Sequence, residues 1–366
     1  MARAAVALGL AVVMLLPGCT ALSDGVGYYA QSIGGHLRML QAARPLDELL
    51  SDPATDPALA ARLRLAREIR AYAWQQLALP DNDSYTRYAD LKRPFVVWNV
   101  FATPELSMKL EQWCFPVVGC VTYRGYYDRA AADAYAQRLR ERGLETHVGG
   151  VPAYSTLGWT SDPLLNTFIR YPDGELARLI FHELAHQVVY AQNDSTFNES
   201  FATAVEEAGV ERWLADRADP RAREQYAAWS ARRRDFVALL SRHRALLEKA
   251  YADDADEATK RARKAEILGG LRAEYERIKA ERWGGFAGYD RWFAQPLTNA
   301  HLAAVGTYTE WVPAFRALLS RQDGDLPRFY AAVRRLAKLS KVEREAALDA
   351  LAPRAARAAD AADRRP

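Results

Sequence analysis

Apolar positions recur every three or four residues over 28–50 and 57–79. This is the period of amphipathic helices, interrupted at Ser51-Asp52-Pro53 and closed at Leu79-Pro80-Asp81-Asn82-Asp83. From Pro94 the period shortens. Residues 95–102 read as a strand, 119–123 as a short second one, and 144–151 and 154–157 as two more. Between them, 128–142 reads as a helix stopped by Gly143. Residues 175–192 form a buried helix carrying Leu176, Leu179, Ile180, Leu184, Val188 and Val189. Beyond Glu199 helical spacing dominates. Two charged helices, 221–249 and 256–282, pair antiparallel through Ala252-Asp253-Asp254, as a coiled-coil protrusion or, in preference, a solvated lid. The pattern predicts an α+β class: predominantly helical, with a small mixed sheet between 85 and 170 packed on the helices that follow. It divides the chain into a leader (1–18), an N-terminal helical region (19–84), a sheet with central helices (85–215), a C-terminal helical region (216–350) and a loose tail (351–366).

The central helix carries His182-Glu183-Leu184-Ala185-His186, and Asn198-Glu199-Ser200-Phe201-Ala202 begins twelve residues after the second histidine. Residues at i and i+4 lie about 40° apart on a helix, so the two imidazoles can share one metal ion, with Glu183 about 100° round from His182. Glu199 is the natural third ligand, and Glu206 is its rival. Three ligands leave a position open for water, as at a catalytic zinc site. Zinc, one per chain, would activate that water, and Glu183 would take its proton as it attacks a carbonyl. Asn198 either lines the cleft or caps a helix.

These residues resemble the gluzincin metallopeptidases, in which a glutamate from a second helix completes the zinc site. The chain is more closely similar to a bacterial family of predicted aminopeptidases that are lipoproteins. That resemblance runs through Trp98-Asn99-Val100-Phe101-Ala102, Trp113-Cys114-Phe115-Pro116-Val117-Val118-Gly119-Cys120, Tyr123-Arg124-Gly125-Tyr126, Ala153-Tyr154-Ser155-Thr156-Leu157-Gly158-Trp159, Asp162-Pro163-Leu164-Leu165-Asn166-Thr167 and the segment 299–315. It implies a zincin-like fold, a peptide substrate and an aminopeptidase activity, although the spacing from His186 to Glu199 is shorter than in the better-known gluzincins. The resemblance offers Tyr308 as donor to the developing oxyanion, with His301, Tyr123, Tyr126 and Tyr154 as other candidates. Residues 153–159, with Tyr154 and Ser155, are either a strand that pairs with extended substrate or a core strand with a turn at Gly158. Glu206, or Glu105, would hold a free α-amine.

Arg3 followed by an apolar stretch over 4–16 reads as an export signal, too short to span a bilayer. Leu16-Pro17-Gly18-Cys19 resembles the lipobox of bacterial lipoproteins, in which the cysteine is acylated and becomes the first residue; the alternative is a plain secretory signal. Thr20 carries no inner-membrane retention cue, so the expected place is the periplasm-facing envelope, with the outer membrane as default. In that oxidising compartment Cys114 and Cys120 suggest a disulfide, with free thiols or a poor second metal site as alternatives. A formal charge of +3, Arg3 included, and no basic stripe interleaved with aromatics argue against a nucleic-acid partner. The oligomeric state is not legible. Two further readings stay open: an envelope endopeptidase, and a catalytically silent lipoprotein used as a binding module.

Overall fold

The computed structural model describes residues 19–115, 119–306 and 310–352. Helix α1, Cys19–Ala42, leads into β1, Arg44–Pro45, and the short α2, Leu46–Ser51. Proline at position 45 cannot donate to a helix, so the continuous helix expected over 28–50 breaks there, and β1 pairs with β2, Arg87–Ala89, instead. Helix α3, Pro57–Leu77, starts at Asp56, whose carboxylate accepts from the N–H groups of Ala58 and Leu59.

Strands β3 (Val97–Pro104), β4 (Trp113–Phe115), β5 (Gly119–Val121) and β6 (Arg124–Tyr126) precede α4, Arg129–Glu141, capped by Asp128. Gly143, at φ +82°, turns the chain into β7, Leu144–Val151, and β8, Leu164–Leu165, follows. Then come the helices: α5 (Asp173–Ala185), α6 (Ser195–Arg217), α7 (Pro220–Ala252), α8 (Glu257–Glu281), α9 (Asp290–Phe293), α10 (Asn299–Gly306), α11 (Val312–Ser320), α12 (Leu326–Ala337) and α13 (Lys341–Leu351).

The α+β, mostly helical composition is as expected, but among the described residues the single sheet resolves into three small ones. A mixed sheet, β1-β2-β8, contains the parallel pair β2–β8 and lies in the main core. An antiparallel sheet, β6-β3-β7, has β3 at its centre. β4 and β5 make a separate hairpin. Alternation along β3 explains where the antiparallel sheet goes. Trp98, Val100 and Ala102 face Ala132, Tyr135, Ala136 and Leu139 of α4 and its approach, while Phe101 faces Ala300 and Ala304 of α10. This sheet therefore packs on α4 and α10, and it is the mixed sheet that shares a core with α5 and α6.

The strand expected over 154–157 is a turn. Tyr154 donates or accepts at His36 Nδ1 (2.6 Å) and meets the Tyr127 hydroxyl, and Leu157 and Gly158 both take positive φ. Thr156 turns inward, giving its N–H (3.0 Å) and hydroxyl (2.8 Å) to Asp162. Helices α7 and α8 are packed together but do not stand free. Phe236, Leu240, Leu271 and Tyr275 join Trp283, Phe293 and Leu302 in a second apolar cluster.

The main core brings α3, α5 and α6 together through Leu63, Ile69, Leu77, Ile180, Phe181, Phe201 and Val205. Gly209 makes the close approach possible. A Cβ there would meet Leu77 Cδ1 at 2.8 Å and Phe181 Cδ2 at 2.9 Å.

Candidate metal centre

Helix α5 ends at Ala185, with His186 as its C-cap, seven residues short of the end expected from the apolar pattern. The following turn is tight: the N–H groups of Gln187 and Val188 donate to Leu184 and Ala185. The side chain of Gln187 is fixed at this turn, where Asn82 donates to it at 2.6 Å and it donates to Ser84 at 3.3 Å. The loop to α6 is then clamped by Asn198. Its buried amide accepts from the Ala191 N–H (2.8 Å) and donates to the Ala191 carbonyl (2.9 Å). Asn198 is thus neither cleft-lining nor a cap. The cap of α6 is Asp194, which accepts from the Phe197 N–H at 3.1 Å.

These constraints bring His182, His186 and Glu199 together, with one ligand atom from each within 4.8 Å of the others. The three edges are 3.2 Å from His182 Nε2 to Glu199 Oε2, 3.2 Å between the two Nε2 atoms, and 3.7 Å from His186 Nε2 to Glu199 Oε2. Ligands about 2.0–2.1 Å from a tetrahedral zinc stand roughly 3.3 Å apart, so the donor set and its spacing both fit that ion.

Glu206 takes a different place from the one expected of a ligand. Its Oε2 lies 2.9 Å from Nδ1 of His182, the ring nitrogen turned away from the centre, and 2.9 Å from Arg178. Arg178 also donates to Glu175 at 2.8 Å, and Arg233 reaches both carboxylates. Glu206 is 2 % exposed, and its Oε2 is taken by His182 and Arg178. Glu105, the other carboxylate considered as a seat for a substrate amine, pairs with Arg261 on α8.

The electrostatics follow from these contacts. Burial opposes charge on His182, but Glu199 and Glu206 outweigh it and raise the imidazole to about 10. Burial likewise opposes ionisation of Glu206, yet Arg178 and His182 bring it down to about 2. Glu199 is held below the usual carboxylate range against its own burial by His186 and His182. Burial raises Glu183, with the charge of Glu199 adding to the rise and His182, His186 and Arg178 offsetting only part of it.

Three tyrosines surround these carboxylates. Burial raises all three, and the charges of Glu183 on Tyr85, of Glu199 and Glu183 on Tyr123, and of Glu199 on Tyr190 raise them further. Tyr85 is 1 % exposed, its hydroxyl has no hydrogen-bond partner among the described residues, and its backbone sits at φ +64°. An aromatic residue held in the left-handed region costs of order 1–2 kcal/mol and marks a place where the surroundings impose the geometry. Of these, sequence reading named Tyr123 only; nothing in the local pattern marks Tyr85 or Tyr190.

His301 stands on α10. Its Nδ1 takes the Thr298 N–H (3.2 Å) and meets the Thr298 hydroxyl, and its ring packs 4.1 Å from His147 and beside Trp292. Tyr308 falls outside the described residues. Tyr154 is committed to His36 and Tyr127, and Ser155 accepts from the Leu157 N–H. Cys114 and Cys120 are joined by a disulfide across the β4–β5 pair, and the Cys120 N–H donates to Asn193 Oδ1 at 2.7 Å, tying the hairpin to the loop between the ligands. Cys19 opens α1.

A family model described as "Putative aminopeptidase" matches residues 27–348. No curated protein and no solved structure matches the chain.

Proposed function

Because the chain belongs to that aminopeptidase family, we propose that it is a zinc-dependent peptidase with a zincin-like catalytic core, acting on peptides with a free amino terminus. The convergence of His182 Nε2, His186 Nε2 and Glu199 Oε2 at tetrahedral spacing carries the reading. Bound there, zinc would supply a Lewis acid that lowers the pKa of a water molecule towards about 7.

The protein's own groups do the rest. Glu206 accepts the Nδ1 proton of His182, which fixes the tautomer and leaves Nε2 with its lone pair towards the centre. Arg178 holds Glu206 ionised for that task. Glu183, buried and raised, takes the proton of the attacking water and delivers it to the leaving amine. Buried Tyr85 and Tyr123 join Tyr308 and His301 as the groups from which the donor to the developing oxyanion is drawn. The apolar stretch over 4–16 and the lipobox-like Leu16-Pro17-Gly18-Cys19 support a place in the bacterial envelope, held by acyl chains and facing the periplasm.

Elemental analysis joined to a peptide panel tests this reading. One zinc per chain is expected, lost in His182→Ala, His186→Ala and Glu199→Ala, with cleavage of aminoacyl substrates and none of the same peptides carrying a blocked amine. Equal cleavage of blocked peptides would make it an endopeptidase. Zinc-replete protein that cleaves neither would leave a binding module.

A further inference from the structure

Helix α1 turns one face to the protein and leaves much of the other exposed, with Tyr29 at its edge also meeting Phe115 edge-on at 6.4 Å. Inward, Tyr28 stacks on Phe115 (5.4 Å) and meets Tyr126 edge-on, Gln31 donates to the Gly125 carbonyl and accepts from the Tyr127 N–H, and Met39 is buried. Gly35 lies so close to the Tyr127 ring that a Cβ would overlap it. Outward, Tyr29, Ile33 and Leu37 follow one another at four-residue spacing, 41 %, 59 % and 49 % exposed. A helix face open to water ordinarily carries charge. Here residues 25–37 contain no Asp, Glu, Lys or Arg, and the next residue is the exposed cation Arg38.

A second exposed aromatic residue stands beside α1. Trp159 is 73 % exposed, and its neighbour Thr160 is held 3.1 Å from Nε2 of His36 on α1. Tyrosine and tryptophan are the side chains that settle at a membrane–water boundary, and a basic residue at the edge suits acidic headgroups. No helix among the described residues is long and apolar enough to cross a membrane, so such a face would lie on a bilayer.

The chain's own layout supplies the occupant. Cys19 is the first residue of α1 and stands eighteen positions before Leu37. Eighteen residues are five whole helical turns, so positions 19 and 37 share one face about 27 Å apart. We propose that the Tyr29–Ile33–Leu37 face of α1, with Trp159, docks on the phospholipid surface that holds the Cys19 acyl chains, laying the helix along the membrane and fixing the orientation of the catalytic core. The proposal rests on the lipoprotein reading of Cys19. It adds a second, reversible contact to an anchor that would otherwise leave the protein swinging on its first turn.

The test uses the mature lipoprotein reconstituted into vesicles with brominated acyl chains. An environment-sensitive fluorophore is placed on Ile33→Cys, on Leu37→Cys and, as a reference, on Val342→Cys, which is 78 % exposed. The expected result is a blue shift and loss of emission at 33 and 37, with the label at 342 unchanged. Labels at 33 and 37 that stay water-exposed while intact mass shows an acylated Cys19 would overturn the docking face and keep the anchor. Quenching at 33 and 37 with Cys19 unmodified would keep the face and remove the anchor. A blue shift without quenching by brominated lipid, reversed on dilution, would assign the face to a second copy of the chain.

Discussion

At the scale of single residues, the informative contrast lies between two buried glutamates on either side of His182. Glu183 is raised by burial, which His182, His186 and Arg178 only partly offset, whereas Glu206 is pinned as an anion by Arg178 and His182. The first is placed to move protons and the second to hold a ring. Glu183→Gln should therefore keep zinc at full stoichiometry while kcat falls by about two to four orders of magnitude, the usual contribution of a general base. Near-wild-type turnover in that variant would end the proposed mechanism. Glu206→Gln should do the opposite, weakening zinc about 10- to 100-fold in a chelator competition with a smaller loss of kcat in excess metal. Equal zinc affinity in that variant would reduce Glu206 to a structural role. His182, Glu183 and His186 were legible because helical spacing fixes their relation locally. Glu206 was legible as a member of the cluster but not as the partner of Nδ1, since that depends on which way the ring is turned. Tyr85 was not legible: it stands 98 positions before Glu183, and its backbone angle is set by the Asp162 carbonyl its N–H meets.

At the scale of elements, the site is a product of how α5 stops and α6 starts. Asn198 is the clamp, since both bonds of its amide go to the backbone of Ala191, which is itself 2 % exposed. Removing it strands a buried N–H and a buried carbonyl, each worth about 1–3 kcal/mol when left unpaired. Asn198→Ala should thus lower unfolding stability by a few kcal/mol in urea and weaken zinc binding, because Glu199 is the next residue. An unchanged urea midpoint would show that the loop is held by other means. The pattern placed β7 and α4 within a residue or two of where they lie, as their alternation and caps are local signals. It misplaced the end of α5 and the turn at 154–158, where the deciding contacts come from distant partners: Asn82 and Ser84 on Gln187, His36 and Tyr127 on Tyr154. The charged pair α7–α8 gave its period away but not its second core, whose apolar partners arrive from residues 283–302.

At the scale of the whole molecule, two buried features join parts of the chain that are far apart in sequence. One is the pair His147 and His301, on β7 and α10. Burial pushes His147 down to about 4, with Arg129 adding to it, and pushes His301 down to about 2, with His147 and Arg272 adding to it. An unfolded histidine takes up a proton near pH 6.5, while these remain neutral in the folded chain. Below that pH the unfolded state binds more protons, so stability falls on acidification, from about pH 6.5 towards 4 for His147 and further for His301. A His147→Phe protein should show a flatter urea midpoint between pH 6.5 and 4 than the wild type. Parallel pH profiles would refute this assignment of the acid sensitivity.

The other is the pair Arg344–Asp194, which ties the last helix to the start of α6. Arg344 Nε donates to Asp194 Oδ2 at 2.9 Å, and its Nη1 donates to the Ala337 carbonyl at 3.1 Å. The guanidinium also lies over the Phe197 ring, 5.0 Å from its centre. The two side chains are only 5 % and 4 % exposed, so each charge depends on the other for compensation. The second oxygen of Asp194 is the cap on α6, five positions ahead of Glu199. Breaking such a pair from one side leaves an unpaired charge in the core and costs about 3–5 kcal/mol, whereas removing both charges costs far less. Arg344→Met should therefore be strongly destabilised and bind zinc more weakly. Arg344→Met with Asp194→Asn should recover much of both, since asparagine keeps the cap and drops the charge. A double-mutant cycle in urea, with zinc affinity read on the same four proteins, gives the decision. Additive effects would mean that the C-terminal helix packs against the catalytic core without steering it. A large coupling energy, mirrored in zinc affinity, would place the control of a metal ligand in a helix that begins 142 residues after it.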